Sequence, residues 1–142
     1  MPDKYFFDTN LWIYMFLDSD DPEDIKRKEK VKLLLEKYTD IVVSSQVLNE
    51  ISNVFVKKYK LKTEIITEHL KHMLDIVEVD SLTENNTFKA LSLLDKYNLS
   101  FYDAVIVSSA INSSCSIIFS EDLQANQIIE DKIRIVNPFA FG

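Results

Sequence analysis

The stretch Lys4-Tyr5-Phe6-Phe7-Asp8 is a short apolar run that ends in an acidic residue. A run of this length and composition is typical of a buried strand in a parallel sheet. Four further runs rich in β-branched residues follow at wide intervals, at 41–43, 76–79, 116–119 and 133–136. Together these runs predict a mainly parallel sheet of four or five strands.

Helices are predicted between these strands. The first begins at Thr9 or Asn10 and reaches Leu17, and Ser44 or Ser45 caps the helix after the second strand. A further helix is predicted to begin at Pro22, and three others are predicted to cover 63–75, 83–97 and 102–112. Strands that alternate with helices indicate a three-layer α/β/α sandwich, in which helices cover both faces of the sheet.

The composition is that of a folded domain. Hydrophobic residues make up 46% and charged residues 27% of the 142 positions, which excludes intrinsic disorder. This length suffices for one core, so we expect a single domain over residues 1–142. The lone cysteine, Cys115, excludes a disulfide scaffold or a cysteine-rich zinc site. Without a long apolar run or a signal-peptide pattern, a cytoplasmic protein with no membrane association is expected.

The aromatic residues divide between a core and a candidate interface. Six of them are mostly expected in the core, namely Phe6, Phe7, Trp12, Phe16, Phe55 and Phe88. For Trp12, and also for Tyr14, a dimer face is the alternative.

Charge is unevenly distributed along the chain. The net charge of −7 argues against a protein that coats nucleic acid without specificity. Residues 1–71 contain twelve basic and thirteen acidic residues, whereas 72–142 contain four and ten. A polyanion would therefore meet the first half. The candidate guides are Lys57, Lys58, Lys60 and Lys62, although the same lysines also fit a solvated helix surface.

Four acidic residues occupy positions near the predicted carboxyl ends of strands, where parallel sheets bind ligands. Asp8 ends the first strand, and Glu50 lies on the helix that follows the second. Asp103 is in the first turn of a helix, and Asp122 follows the fourth strand. Converging carboxylates repel one another, and a divalent cation relieves the repulsion. Oxygen ligands without thiolate or imidazole favour Mg²⁺ or Mn²⁺.

Each acid also has a structural explanation. Asp8 could cap the helix that follows it, and Asp103 could interact with a helix dipole. Asp122 and Glu121 could form a solvated pair. Glu50 is harder to explain in this way, because apolar residues surround it in the sequence. Glu121 is expected to point away from the site and is kept as a reserve ligand.

The sequence resembles the PIN-domain ribonucleases, and in particular the VapC-like toxins of toxin–antitoxin pairs. The resemblance covers nearly the whole chain, with its motifs in the family's order. They are Phe6-Phe7-Asp8-Thr9-Asn10, Ser44-Ser45-Gln46-Val47-Leu48-Asn49-Glu50, Leu99-Ser100-Phe101-Tyr102-Asp103-Ala104-Val105-Ile106-Val107, Ile118-Phe119-Ser120-Glu121-Asp122-Leu123-Gln124 and Ile135-Val136-Asn137-Pro138-Phe139.

The resemblance implies a metal-dependent endoribonuclease with a PIN-like fold. The family's acidic quartet falls on Asp8, Glu50, Asp103 and Asp122, which would serve as catalytic residues and metal ligands. Thr9, Asn10 and Ser120 would contact these ligands or the substrate, with helix capping as the alternative for each of them. The resemblance implies one or two Mg²⁺ or Mn²⁺ ions as the cofactor. It also implies a homodimer, with RNA and a cognate antitoxin as its partners.

Two departures from related sequences concern the backbone. Ser114 and Asn126 stand where the family often has glycine. Since asparagine tolerates a left-handed backbone better than most residues, we expect the same loop geometry with slightly more strain.

Other classes fit less well. A haloacid-dehalogenase-like phosphatase would need an acid two residues after Asp8, where the chain has Asn10. A response-regulator-like receiver would need an acid pair and a late lysine, and neither stands out. A catalytically inactive PIN-like module that only binds RNA or protein is the remaining alternative, and it would be expected to lack at least one of the four acids.

Overall fold

The computed structural model describes residues 3–140, in which six strands form one sheet. The strands are β1 (Lys4–Phe7), β2 (Ile41–Ser44), β3 (Val77–Asp80), β4 (Cys115–Phe119), β5 (Ile128–Ile129) and β6 (Ile133–Val136). Their order in the sheet is β3-β2-β1-β4-β6-β5, so the first strand of the chain lies near the centre. All pairings are parallel except that of β5 with β6.

The helices follow the strands in the alternating order that the sequence predicts. They are α1 (Thr9–Phe16), α2 (Pro22–Lys37), α3 (Ser45–Lys57), α4 (Thr63–Leu74), α5 (Glu84–Lys96) and α6 (Phe101–Asn112). All four residues of β2 are buried, which requires cover on both faces of the sheet. The α/β fold with a mainly parallel central sheet is therefore confirmed. None of the helices in residues 3–140 is long and apolar enough to cross a bilayer.

The sheet has six strands, whereas four or five were predicted. The additional strand, β5, contains only Ile128 and Ile129 and forms an antiparallel hairpin with β6 at the edge of the sheet. Two residues are too few to produce a hydrophobic periodicity, which is why the sequence pattern did not reveal this strand.

The aromatic core agrees with the prediction at most positions and differs at Phe88. Phe6, Phe7 and Phe55 are fully buried, but the side chain of Phe88 on α5 is 67% exposed. Trp12 is buried inside the molecule, where its Nε1 donates a hydrogen bond to the carbonyl oxygen of Phe7 (3.1 Å). It therefore belongs to the core of the monomer, as the sequence predicts, and the burial of its side chain excludes the alternative of a dimer face.

Residues other than glycine occupy left-handed backbone positions. Ser114 and Asn126 have φ angles of 61° and 66°, as expected where related sequences have glycine. Glu130 and Asp131 also have positive φ (55° and 54°) and form the turn between β5 and β6. The Lys132 amide closes this turn by donating to the Ile129 carbonyl oxygen (3.0 Å).

Candidate active site

The four predicted acids line one cavity of about 220 Å³ at the carboxyl ends of the central strands. Asp8 follows β1, and Asp122 lies just beyond β4. Glu50 reaches the cavity from the second turn of α3, and Asp103 from the first turn of α6. Larger cavities lie along α2 and beside β3, but these acids do not line them.

Asp8 is the most deeply buried of these acids, and it also caps α1. Its Oδ1 accepts a hydrogen bond from the Thr9 amide (2.7 Å), and its Oδ2 accepts one from the Ser120 hydroxyl (2.8 Å). Burial, together with the nearby carboxylates of Glu50 and Asp122, raises the pKa of Asp8 to about 6, although the two hydrogen bonds act to lower it. The capping role and the place in the acidic cluster are therefore compatible.

Thr9 and Asn10 connect α1 to two of the other acids. The Thr9 hydroxyl donates to Glu50 Oε1 (2.9 Å), and Asn10 Nδ2 donates to Asp122 Oδ2 (2.7 Å). Burial raises the pKa of Asp122, and the charges of Glu121 and Asp103 act in the same direction. The first turn of α1 thus orients carboxylates that come from two distant parts of the chain.

Ser120 organises the loop that follows β4. It is fully buried, and its hydroxyl donates to Asp8 while accepting hydrogen bonds from the amides of Asp122 and Leu123 (3.2 Å each). These three bonds use the whole hydrogen-bonding capacity of a hydroxyl group. Ser120 therefore joins Asp8, which directly follows β1, to the loop that carries Asp122.

Glu121 does not line the cavity, in agreement with its expected orientation. Its Oε1 accepts a hydrogen bond from the Tyr14 hydroxyl (2.5 Å), and its Oε2 lies 3.7 Å from Nε of Arg27. Burial raises the pKa of Tyr14, and the bond to Glu121 raises it further, so the phenol remains protonated and donates.

Two polar residues of the cavity were missed by the sequence analysis. Gln46 and Asn53 line it from α3, four residues before and three residues after Glu50. Gln46 Nε2 also donates to the Tyr102 carbonyl oxygen (3.4 Å). Because residues three and four apart share a helix face, the spacing from Glu50 could have identified both.

The predicted lysine cluster lies at and just after the C-terminal end of α3, the helix that carries Glu50. Lys57 is the last residue of α3 and lies on the same helix face as Glu50, seven residues later. Lys58, Lys60 and Lys62 lie in the connection to α4, where Lys58 caps the end of α3 and Lys62 precedes α4.

The donor atoms of the cavity fit a hard divalent cation, although the acids are not already arranged around one. Within residues 3–140, no group of three or more acidic, histidine or cysteine side chains has the spacing to hold a metal ion. All the charged groups of the cavity are carboxylates, which Mg²⁺ and Mn²⁺ prefer. The raised pKa values of Asp8 and Asp122 reflect an electrostatic cost that a bound cation would relieve.

Residues 5–130 match the family model of the PIN domain. Among solved structures, VapC20 from Mycobacterium tuberculosis, a sarcin-ricin loop cleaving toxin, is similar with a TM-score of 0.65 and 19% identity over 83% of this chain and 91% of that chain. A toxin–antitoxin complex from Klebsiella pneumoniae has a TM-score of 0.68 and 19% identity over 94% and 97% of the two chains. VapBC2 from Rickettsia felis, bound to a DNA fragment from its promoter, has a TM-score of 0.58 and 22% identity over 93% and 96%.

No curated protein matches the chain. The low identities to the solved structures show a common fold and no more, whereas the family model covers most of the sequence. Members of this family are nucleases and generally use divalent metals. With its motifs in the family order on a matching fold, the chain belongs to the PIN-domain family.

Proposed function

We propose that the protein is a Mg²⁺- or Mn²⁺-dependent endoribonuclease that hydrolyses phosphodiester bonds in RNA. The observation that carries this proposal is the set of four acids around one cavity, in a chain that belongs to a nuclease family. Asp8, Glu50, Asp103 and Asp122 would hold the metal, and water attack would leave a 5′-phosphate and a 3′-hydroxyl.

A bound divalent cation would acidify an attacking water and neutralise charge on the phosphate. The side chains around the cavity would prepare it for this cation. Asp8 is buried and held by two hydrogen bonds, while Thr9 orients Glu50 and Asn10 orients Asp122. Such support of ligands by neighbouring groups strengthens metal sites in proteins.

Cleavage of a structured RNA tests this proposal directly. Activity is expected with Mg²⁺ or Mn²⁺ and is expected to disappear in excess chelator. Asp8→Asn and Asp103→Asn should each lower the rate by at least about a hundredfold, because each removes a charged ligand of the metal. Asp95→Asn, which removes the same charge from the exposed side of α5, is the matched control and should remain active.

Undiminished cleavage in chelator, or full activity of both site variants, would refute the proposal. Circular dichroism spectra of the variants would show that any loss does not come from unfolding. An inactive PIN-like module would bind RNA without cleaving it under all of these conditions.

Metal binding also has a readout that does not require activity. Because Mg²⁺ would bind only the folded protein, the melting temperature should rise as Mg²⁺ is added. Glu50→Gln keeps an oxygen that can accept the Thr9 hydrogen bond but loses the charge, so its rise should be smaller. An equal rise in both proteins would exclude Glu50 as a ligand.

We further propose that the nuclease is the toxin of a toxin–antitoxin pair, acting in the cytoplasm as a homodimer. Support comes from structural neighbours that are VapC toxins or toxin–antitoxin complexes. An adjacent small gene for a DNA-binding antitoxin, whose product co-purifies with this chain, would be the expected finding. Light scattering of the purified protein would test the dimer, and a monomer mass would refute it.

A further inference from the structure

Two side chains on one face of α1 hold the two consecutive acids of the loop that follows β4. Asn10 and Tyr14 are four residues apart and therefore lie on the same side of the helix. Asn10 donates to Asp122, and Tyr14 donates to Glu121. The helix thus contacts both acids of the loop, although only Asp122 lines the cavity.

The hydroxyl of Tyr14 is held in place by contacts to its ring. The guanidinium carbon of Arg27, on α2, lies 5.3 Å from the centre of the ring, and Phe139 packs edge-to-face with a centroid distance of 5.3 Å. Arg27 also lies beside the second oxygen of Glu121. Residues from α1, α2 and the C-terminal segment therefore form one cluster around this carboxylate.

The hydrogen bond from Tyr14 is the strongest contact in the cluster. A phenol that donates to a carboxylate at 2.5 Å makes a short, charge-assisted bond. The contact between Arg27 and Glu121 is longer, and about a third of the Arg27 side chain is exposed, so its contribution is modest. Without these partners, Glu121 would add a fifth negative charge beside the four carboxylates of the cavity, which already repel one another.

We propose that Tyr14 is a positioning residue that, with Arg27, retains Glu121 outside the cavity and thereby orients the loop at 120–123 so that Asp122 faces the cavity. Tyr14 would act through the loop and would touch neither metal nor substrate. The inference rests on the proposed function, because it takes Asp122 as a metal ligand.

Tyr14→Phe tests this role, since it removes the hydroxyl and keeps the ring. Tyr97→Phe is the matched control, because the Tyr97 hydroxyl accepts a hydrogen bond from the Glu130 amide (2.8 Å) and does not line the cavity. In the metal-free protein, hydrogen–deuterium exchange of a peptide covering 117–125 should be faster in Tyr14→Phe. The control should exchange like the wild type in this peptide.

Calorimetric titration with Mn²⁺ alone tests the consequence for the site. Tyr14→Phe should weaken Mn²⁺ binding by about tenfold, the lower end of the range for supports of metal ligands. Tyr97→Phe should leave it unchanged. In the Glu121→Gln background the effect of Tyr14→Phe should be smaller, because the two residues act through one hydrogen bond.

Unchanged exchange in Tyr14→Phe would overturn the proposed restraint of the loop. Faster exchange with unaltered Mn²⁺ affinity, or equal effects in both Glu121 backgrounds, would overturn the positioning role. If the wild type binds Mn²⁺ no better than Asp103→Asn, the proposed function fails together with the positioning role. The exchange measurement would still show whether Tyr14 restrains the loop, so the two failures are distinguishable.

Discussion

Position 8 needs a side chain with two hydrogen-bond acceptors. One oxygen of Asp8 accepts from the Thr9 amide and the other from the Ser120 hydroxyl, which has no free lone pair left. An asparagine would place its NH₂ group against one of these donors and lose that bond, at a cost of about 1–3 kcal/mol. The fold therefore retains an acid here even though burial disfavours its charge.

The raised pKa of Asp8 predicts how the stability of the metal-free protein depends on pH. The folded state binds the proton near pH 6, whereas the unfolded chain binds it near the usual 3.8. The folded state therefore holds more protons between these values, and the free energy of unfolding should increase as the pH falls from 7.5 to 5. Asp8 alone should contribute about 1 kcal/mol, and Asp122 acts in the same direction.

Urea unfolding in chelator at both pH values measures this dependence. The comparison with Asp8→Asn isolates the contribution of one carboxyl group, because the other titrating groups are common to both proteins. The variant should gain less stability on acidification than the wild type. Equal gains in the two proteins would mean that Asp8 ionises normally in the folded state.

At the residue scale, the sequence predicts the acids better than their partners. Asp8 and Asp122 are identified by their places after apolar strands, and Glu50 by its apolar neighbours on a helix. The bond between Tyr14 and Glu121 joins residues 107 positions apart, and it depends on how the loop after β4 packs against α1. No local pattern reports such a contact.

The helix α3 extends from the cavity towards the lysine cluster. Glu50, Asn53 and Lys57 lie three or four residues apart along one face of this helix. Lys57 follows Glu50 by about 10 Å along the helix axis, given a rise of about 1.5 Å per residue. A nucleic acid strand that leaves the cavity along α3 would therefore meet this charge first.

Replacing Lys57, Lys58, Lys60 and Lys62 with glutamine should weaken RNA binding and reduce its dependence on salt. Each lost phosphate contact should lower the slope of log K against log salt concentration by about 0.7 for single-stranded RNA. Fluorescence anisotropy in chelator measures binding without cleavage. Glutamine at Lys26, Lys30, Lys32 and Lys37 of α2 changes the charge equally and is the control. An unchanged slope would assign the cluster to a solvated surface.

The turn between β5 and β6 carries strain that a substitution can relieve. Both of its central residues, Glu130 and Asp131, have positive φ, which glycine adopts at no steric cost. Asp131→Gly should raise the free energy of unfolding by about 0.5–1 kcal/mol, and Asp131→Ala should lower it, since alanine tolerates this backbone less well than aspartate. Chemical denaturation of the two variants measures both effects. A loss of stability in the glycine variant would contradict this explanation.

At the element scale, the sequence predicts every helix and the five longer strands, because each carries a periodic pattern or a capping residue. Ser44, for example, accepts a hydrogen bond from the Val47 amide and caps α3. The strand β5 was not predicted because it has only two residues. Phe88 was predicted in the core but is exposed, because an aromatic side chain can lie on either face of an amphipathic helix.

At the scale of the whole molecule, the acidic cavity suits a cationic side chain as well as a metal ion. The planar guanidinium of an arginine pairs closely with carboxylates. An antitoxin is therefore expected to place an arginine or lysine near Asp8, Glu50, Asp103 and Asp122. Inhibition of cleavage should then weaken as Mg²⁺ is raised, and Asp103→Asn should loosen the complex.

A titration of Mg²⁺ against inhibition by the co-purified antitoxin checks this expectation. Asp95→Asn again provides a control of equal charge at an exposed site. Inhibition that responds neither to Mg²⁺ nor to Asp103→Asn would show that the antitoxin acts elsewhere, for example on the lysine cluster or on the dimer.

The central position of β1 has a consequence for how the protein is made. This strand is synthesised well before its neighbour β4, which ends at residue 119, and the two pair along their length. A ribosome that has translated the chain as far as residue 100 has incorporated Asp8 and Glu50 but neither Asp103 nor Asp122. Since the pairing of distant segments must wait for the later one, the carboxylate cavity is completed only after residue 122 has been translated. A prematurely terminated copy that ends before residue 103 contains half of the acids and cannot assemble the cavity.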